Sequence, residues 1–155
     1  MSCTSKAKKV EPARNGKDLK SLVDKICNSG QPSLDPAHIK AVKKTCKADE
    51  DAVLPELFSL LMVNLKRQHS EVRLSAFQVL TEIFERSHKF RLMVLDDLQE
   101  VLAFVLETDP MSRPLPPPKA AKQLLNSLAI NKVDEWVKSF GKAYPKLHHA
   151  YNFLR

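Results

Sequence analysis

The segment that most constrains the fold is residues 70–94, where one amphipathic helical pattern follows another with no glycine or proline between them. Val72 and Ile83 fall on one helical stripe, and Phe77 and Phe84 widen the same apolar face. A face this wide is typical of a helix that has neighbours on two sides. The segment therefore predicts the central helix of a stacked, all-helical domain, and nothing in it suggests catalysis.

The rest of the chain continues the helical periodicity and predicts seven or eight helices, no strands and a single domain over residues 17–155. Residues 1–16 lack periodicity and predict a flexible basic tail. Helices are expected at residues 18–27, 49–67 and 119–128. Others are expected to begin at Pro36, with Asp35 as the N-cap, at Ser70, and at Asn131 or Lys132. The second helix of the 70–94 segment is expected to continue to about Glu107. Pro145 is expected to kink or restart the chain.

Composition and charge fit an ordered chain that stays in solution. Hydrophobic residues make up 43% of the 155 residues and glycines number only three, which is typical of an ordered helical protein. The net charge is +7, and residues 1–17 supply +4 of it through five basic residues and Glu11. No stretch has the length and apolar character of a signal peptide or a membrane span. The sequence therefore predicts an intracellular protein and no membrane partner.

The sequence offers little that could carry chemistry. Cys3, Cys27 and Cys46 are too far apart for a disulfide framework or a paired metal motif, and the last two fall on apolar faces, as reduced core residues do. The five histidines are scattered, and the nucleophile, phosphate-loop and zinc-protease motifs are absent. We expect no enzyme activity, no cofactor and no metal site.

Two lysine-rich faces are the candidate partner surfaces. Lys40, Lys43 or Lys44, and Lys47 line one side of the second predicted helix, either as a face for an acidic partner or as an ordinary solvated surface. Either of the two lysine-rich faces could also contact nucleic acid directly.

The second candidate surface surrounds the only tryptophan. Trp136 lies on the apolar side of the last regular helix, as a core residue or as an anchor for a partner. Lys138, Lys142 and Lys146 follow at intervals of four residues and would line a neighbouring face if the helix continued.

The proline-rich segment also has two interpretations. Residues 114–119, PLPPPK, are compatible with a polyproline helix that ends in a cation, the kind of ligand that SH3 domains bind. The alternative is a rigid connector between two helices.

The residues described so far resemble a VHS/ENTH-type domain. The matching segments are EVRLSAFQVLTEIFERSHKFR, TDP followed by PLPPPKAA, Trp136 with KSFGKAY, and YNFLR. Within that group the chain is most similar to the N-terminal VHS-like regions of UV-stimulated scaffold A proteins, from about Leu19 onward. The resemblance implies a right-handed superhelix of about eight helices and a non-enzymatic scaffold in transcription-coupled nucleotide excision repair.

The same resemblance implies the partners. The family is expected to act in the nucleus, on chromatin, and to dock on the Cockayne syndrome A WD-repeat protein at RNA polymerase II stalled by lesions. TFIIH and a deubiquitinase would bind through regions outside this chain. The alternative is a VHS-type trafficking adaptor that binds sorting signals or ubiquitin. Residues 36–39, Pro-Ala-His-Ile, lack the tryptophan of ubiquitin-binding VHS domains, which argues against ubiquitin.

Overall fold

The structure is a computed structural model that describes residues 16–107, Met111 and residues 114–154. The predicted tail lies outside the described residues except for Gly16, where the first helix begins. The described residues form eight helices and no strands, which confirms the all-α fold class. The helices are α1 (Gly16–Cys27), α2 (Pro36–Ala48), α3 (Glu50–Leu65), α4 (Ser70–Arg86), α5 (His88–Asp96), α6 (Leu98–Val105), α7 (Lys119–Phe140) and α8 (Pro145–Leu154).

Local signals in the sequence account for several helix ends. Asp35 is the N-cap of α2 and accepts a hydrogen bond from the Ala37 backbone N–H at 2.8 Å, with Pro36 at the first helical position. The chain leaves α1 after Cys27 and turns at Gly30, whose φ of 73° favours glycine. Pro145 begins α8, so the predicted restart at this proline is confirmed.

The prediction of one long helix that reaches Glu107 is wrong, because the helix is interrupted at Asp97. The apolar stripe of this region, from Val94 to Val105, continues across the break at helical spacing. Asp97 has φ −116° and ψ 26°, outside the helical range, and separates α5 from α6. Periodicity reports which residues are buried and does not report a change in helix direction, so the break was invisible in the pattern.

The opposite error occurs in α7, which is one helix of 22 residues instead of two. The sequence predicted an end near Leu128 and a new start at Asn131 or Lys132. No glycine or proline interrupts the segment, and Leu125, Ala129 and Val133 form one buried stripe along its length.

The core is organised around α4, which contacts α1, α3, α5, α6 and α7. Twelve of its 17 residues are buried, so the predicted central position with neighbours on two sides is confirmed. On one side lie α1 and α3, which also pack against each other and against α2. On the other side lies α7, which in turn carries α8.

Candidate functional site

Trp136 belongs to the core, so its interpretation as a partner anchor is wrong. Its side chain is 1% exposed and stacks on Phe84, with ring centroids 3.9 Å apart. The centre of the Phe77 ring lies 6.2 Å from the centre of the Trp136 ring. These contacts join α7 to α4, and a partner touching the domain surface cannot reach the indole.

The three lysines that follow Trp136 do not share one helix face. Because α7 ends at Phe140, Lys138 lies on α7, Lys142 lies in the turn after it and Lys146 lies on α8. Lys138 pairs with Asp134 at 3.0 Å, and Lys146 pairs with Asp96 at 3.0 Å. The predicted stripe is therefore wrong, and what remains is an α7–α8 corner where Lys138 and Lys142 are exposed.

The lysines of α2 separate into two groups. Lys43 is half-buried and pairs with Glu82 of α4 at 2.9 Å, so its charge is neutralised within the fold. Lys40, Lys44 and Lys47 are exposed, and none of the described residues forms an ion pair with them. Of the predicted set, Lys40 and Lys47 stay available to a partner, Lys44 joins them, and Lys43 holds α2 to α4.

The proline-rich segment is a packed connector, which excludes the SH3-ligand interpretation in this fold. Leu115 and Pro116 are buried. Ser70 at the start of α4 donates its hydroxyl to the Pro116 carbonyl at 2.5 Å and its backbone N–H to the Pro117 carbonyl at 3.0 Å. An SH3 domain needs an exposed segment, whereas this one is hydrogen-bonded to the central helix.

Glu107, just after α6, binds the same connector. One of its carboxylate oxygens accepts the Leu115 backbone N–H at 2.8 Å and lies 3.1 Å from Lys122 Nζ. The backbone hydrogen bond and then Lys122 lower the pKa of Glu107 below its ordinary value. Thr108–Pro110, where the sequence placed the end of the preceding helix, lie outside the described residues.

Two arginines donate hydrogen bonds to carbonyls near helix ends, and the sequence analysis did not predict this role. Arg73 is buried without a carboxylate partner in the described structure; it donates to the Arg67 carbonyl at 2.7 Å and to the Phe104 carbonyl at 3.0 Å. Desolvation lowers the pKa of Arg73. The acceptors lie just after α3 and near the end of α6, where helix carbonyls lack intrahelical donors and carry partial negative charge.

Arg91 has the same role at the other end of α4. It donates to the Phe84 carbonyl at 2.8 Å and to the Tyr144 hydroxyl at 3.2 Å. Its guanidinium lies 4.4 Å from the centre of the Phe140 ring, within cation–π range. His88 Nδ1 also contacts the Tyr144 hydroxyl. These contacts fix the joint between α7 and α8 against α4 and α5. The signal in the sequence is an arginine on an otherwise apolar helical face, and it does not identify the acceptor.

The cysteines of the described chain are structural. Cys27 and Cys46 are free and buried, as predicted. Burial, together with the negative charge of Asp24, raises the pKa of the Cys27 thiol to about 12. Burial, together with the negative charge of Glu50, raises the pKa of the Cys46 thiol to about 11. Thiols held in the neutral form are poor nucleophiles.

The described residues contain no metal-binding cluster of three or more histidine, cysteine or acidic side chains. None of the helices in the described part of the chain has the length and apolar character needed to cross a membrane. The two candidate partner surfaces in this part of the chain are the exposed lysines of α2 and the α7–α8 corner.

Comparison with known proteins gives one consistent match. The family model of the UVSSA N-terminal domain matches residues 15–155. UV-stimulated scaffold protein A of Xenopus tropicalis is 44% identical over 137 residues, which cover 88% of this chain and 18% of that protein. The protein of the same name in Bos taurus is 43% identical over 88% of this chain and 20% of its own length. The homolog in Arabidopsis thaliana is 30% identical over 86% of this chain and 20% of its own length. The chain thus spans about a fifth of the length of these relatives.

Proposed function

We propose, since the chain belongs to the UVSSA N-terminal domain family, that it is a non-enzymatic, protein-binding scaffold domain of the cellular response to UV damage. Its process would be transcription-coupled nucleotide excision repair. Its partner would be the Cockayne syndrome A WD-repeat protein, bound together with lesion-stalled RNA polymerase II on chromatin in the nucleus. TFIIH and a deubiquitinase would be recruited by regions beyond this chain.

The observation that carries the proposal is the extent of the family match. It covers residues 15–155, from the start of α1 through α8, and therefore the whole helical fold instead of one motif. The relatives are named as UV-stimulated scaffold proteins, and a scaffold works by binding other proteins. The surface of the described domain suits that role, because its candidate sites are exposed charged side chains.

The α7–α8 corner is the proposed docking surface. Lys138 is 74% exposed at the end of α7, and Lys142 is exposed in the turn that follows. A partner surface of opposite charge would be steered toward this corner, which affects the association rate more than the affinity.

Purified Cockayne syndrome A protein provides the direct test. It would be immobilised and exposed to the full chain and to the Lys138→Glu/Lys142→Glu variant at several salt concentrations. We expect the variant to associate more slowly and to show a weaker dependence on salt, with a nearly unchanged melting temperature. The matched control is Lys25→Glu/Lys66→Glu, which changes the charge equally at exposed sites on α1 and after α3.

The two possible failures have different meanings. No binding by the folded wild-type chain would refute docking on this partner. Normal binding by the corner variant, with the wild-type chain binding, would remove the corner and leave the scaffold function in place. Lesion-dependent chromatin retention of the fluorescently tagged chain in nuclei, before and after UV, would test the cellular part of the proposal.

A further inference from the structure

The exposed side of α2 carries a compact group of positive charges. Lys40, Lys44 and Lys47, here called the α2 lysine ridge, are spaced by four and three residues and lie within about 60° around the helix axis. Their Cα atoms are separated by about 6 Å and 4.5 Å along that axis. All three side chains are exposed, and the opposite side of α2 is buried through Ala41, Val42, Thr45 and Cys46.

Among the described residues no carboxylate pairs with the ridge, whereas most of the other lysines have an ion-pair partner. α2 contains four lysines and no acidic residue. The nearby Glu82 pairs with Lys43, beside the ridge. Lysines elsewhere pair with carboxylates across the described structure: Lys20, Lys89, Lys122, Lys132, Lys138 and Lys146.

The lysines that lack a described ion pair outside the ridge are scattered. Lys25 lies on α1, Lys66 follows α3, Lys119 begins α7, and Lys142 lies in the turn after α7. Among the described helices, α2 alone carries three such charges on one face. Like charges at these spacings repel one another, and a partner that brings carboxylates to the ridge relieves the repulsion at all three positions at once.

We propose that the α2 lysine ridge is a docking site for an acidic helical segment of a partner protein. A helix with glutamates or aspartates at positions i, i+3 and i+7 repeats the spacing of the ridge, so that each carboxylate meets one ammonium group in an antiparallel arrangement. The exposed residues beside the ridge include Ala37 and Ala48, whose small side chains let a second helix approach closely.

The same residues favour a protein over a nucleic acid. The ridge has no arginine for bidentate phosphate binding, and α2 has no phenylalanine, tyrosine or tryptophan on which a base could stack. Three lysines would also neutralise only a few phosphates and give a shallow salt dependence. The site is distinct from the α7–α8 corner, so it does not depend on the proposed docking there.

The test uses a fluorescein-labelled helical peptide of alanine and glutamine with glutamates at i, i+3 and i+7. Its affinity for the full chain would be measured by fluorescence anisotropy. The chains compared are the wild type, the ridge variant Lys40→Gln/Lys44→Gln/Lys47→Gln, and the control Lys25→Gln/Lys66→Gln/Lys119→Gln. Both variants lose three positive charges and keep the basic N-terminal segment. A glutamine-only peptide and a 20-base-pair DNA duplex serve as comparison probes.

Exposed ion pairs contribute little individually, so we expect the ridge variant to bind the acidic peptide roughly tenfold more weakly and the control less than about twofold more weakly. Amide shifts in the NMR spectrum should concentrate in α2. Equal losses in the two variants would show general attraction and overturn the proposal. Tighter binding of the duplex than of the peptide, with the same dependence on the ridge, would assign the site to nucleic acid and overturn it as well. Absence of measurable peptide binding to the folded wild type would also overturn it.

Discussion

The two sides of α4 are packed by different chemistry. Toward α1 and α3 the buried side chains are almost entirely aliphatic, and α1 and α2 contain no phenylalanine, tyrosine or tryptophan. Toward α7 and α8 the contacts are aromatic: Phe84 stacks on Trp136, Phe140 meets Phe84 edge to face at 5.8 Å, and Arg91 covers Phe140 and hydrogen-bonds Tyr144.

This difference indicates that packing on the aliphatic side depends on side-chain volume, whereas packing on the aromatic side depends on the orientation of the side chains. Aliphatic side chains are held by dispersion and burial, which have little directional preference. Stacked rings and a guanidinium with fixed hydrogen-bond directions function only in one arrangement of helices. We therefore expect the aliphatic side to tolerate changes that conserve volume, and the aromatic side to resist them.

The largest effect is expected from Phe84→Ala. Phe84 is fully buried and contacts both Trp136 and Phe140, so its truncation should lower the free energy of unfolding by roughly 3–5 kcal/mol. Urea denaturation followed by circular dichroism measures the change. Phe84→Leu is the sharper variant, because it keeps a large apolar side chain and removes the stacking. A Phe84→Leu cost near zero would mean that orientation is unimportant on this side.

On the aliphatic side, Leu57→Ala should cost about 2–4 kcal/mol through lost burial and the cavity left behind. Leu57 is fully buried on α3. Leu57→Met conserves volume and should cost less than about 1.5 kcal/mol. If Leu57→Met proved as costly as Phe84→Leu in the same denaturation assay, the contrast between the two sides would disappear.

Arg91→Met should lower the free energy of unfolding by about 2 kcal/mol, because it leaves the Phe84 carbonyl and the Tyr144 hydroxyl without the donor they share. Loss of protection from amide hydrogen exchange should be greatest in α8, which this joint holds. Arg91→Lys tests the geometry, since it keeps the charge without the planar fork. Full restoration of protection by lysine would show that charge alone holds the joint.

The smallest effect is expected at Glu107, beside the connector that leads into α7. Glu107→Gln should cost about 1 kcal/mol at pH 7, where the carboxylate binds the Leu115 N–H and Lys122. The folded state lowers the pKa of Glu107 below its ordinary value of 4.5, so its contribution is present above that pH and is lost as the pH falls through the lowered value. Urea denaturation from pH 7 to pH 3 should show the two proteins converging in stability. A difference that stays constant with pH would contradict the charged hydrogen bond.

The sequence alone determined the fold class and most of the elements. Apolar periodicity predicted the all-α domain, the central position of α4 and the burial of Phe77 and Phe84, because burial is encoded residue by residue along each helix. Asp35 with Pro36, and Pro145, marked helix starts through local backbone chemistry. Similarity over residues 15–155 supplied the family.

Only the tertiary structure decided where helices change direction and which side chains meet. The break at Asp97 depends on packing between distant segments, which leaves no trace in local spacing. Long-range partners also distinguished lysines that look alike in sequence: Glu82 neutralises Lys43, whereas Lys40, Lys44 and Lys47 face solvent. Hydropathy records whether a residue prefers to be buried, and the identity of its neighbour is settled only when the helices assemble.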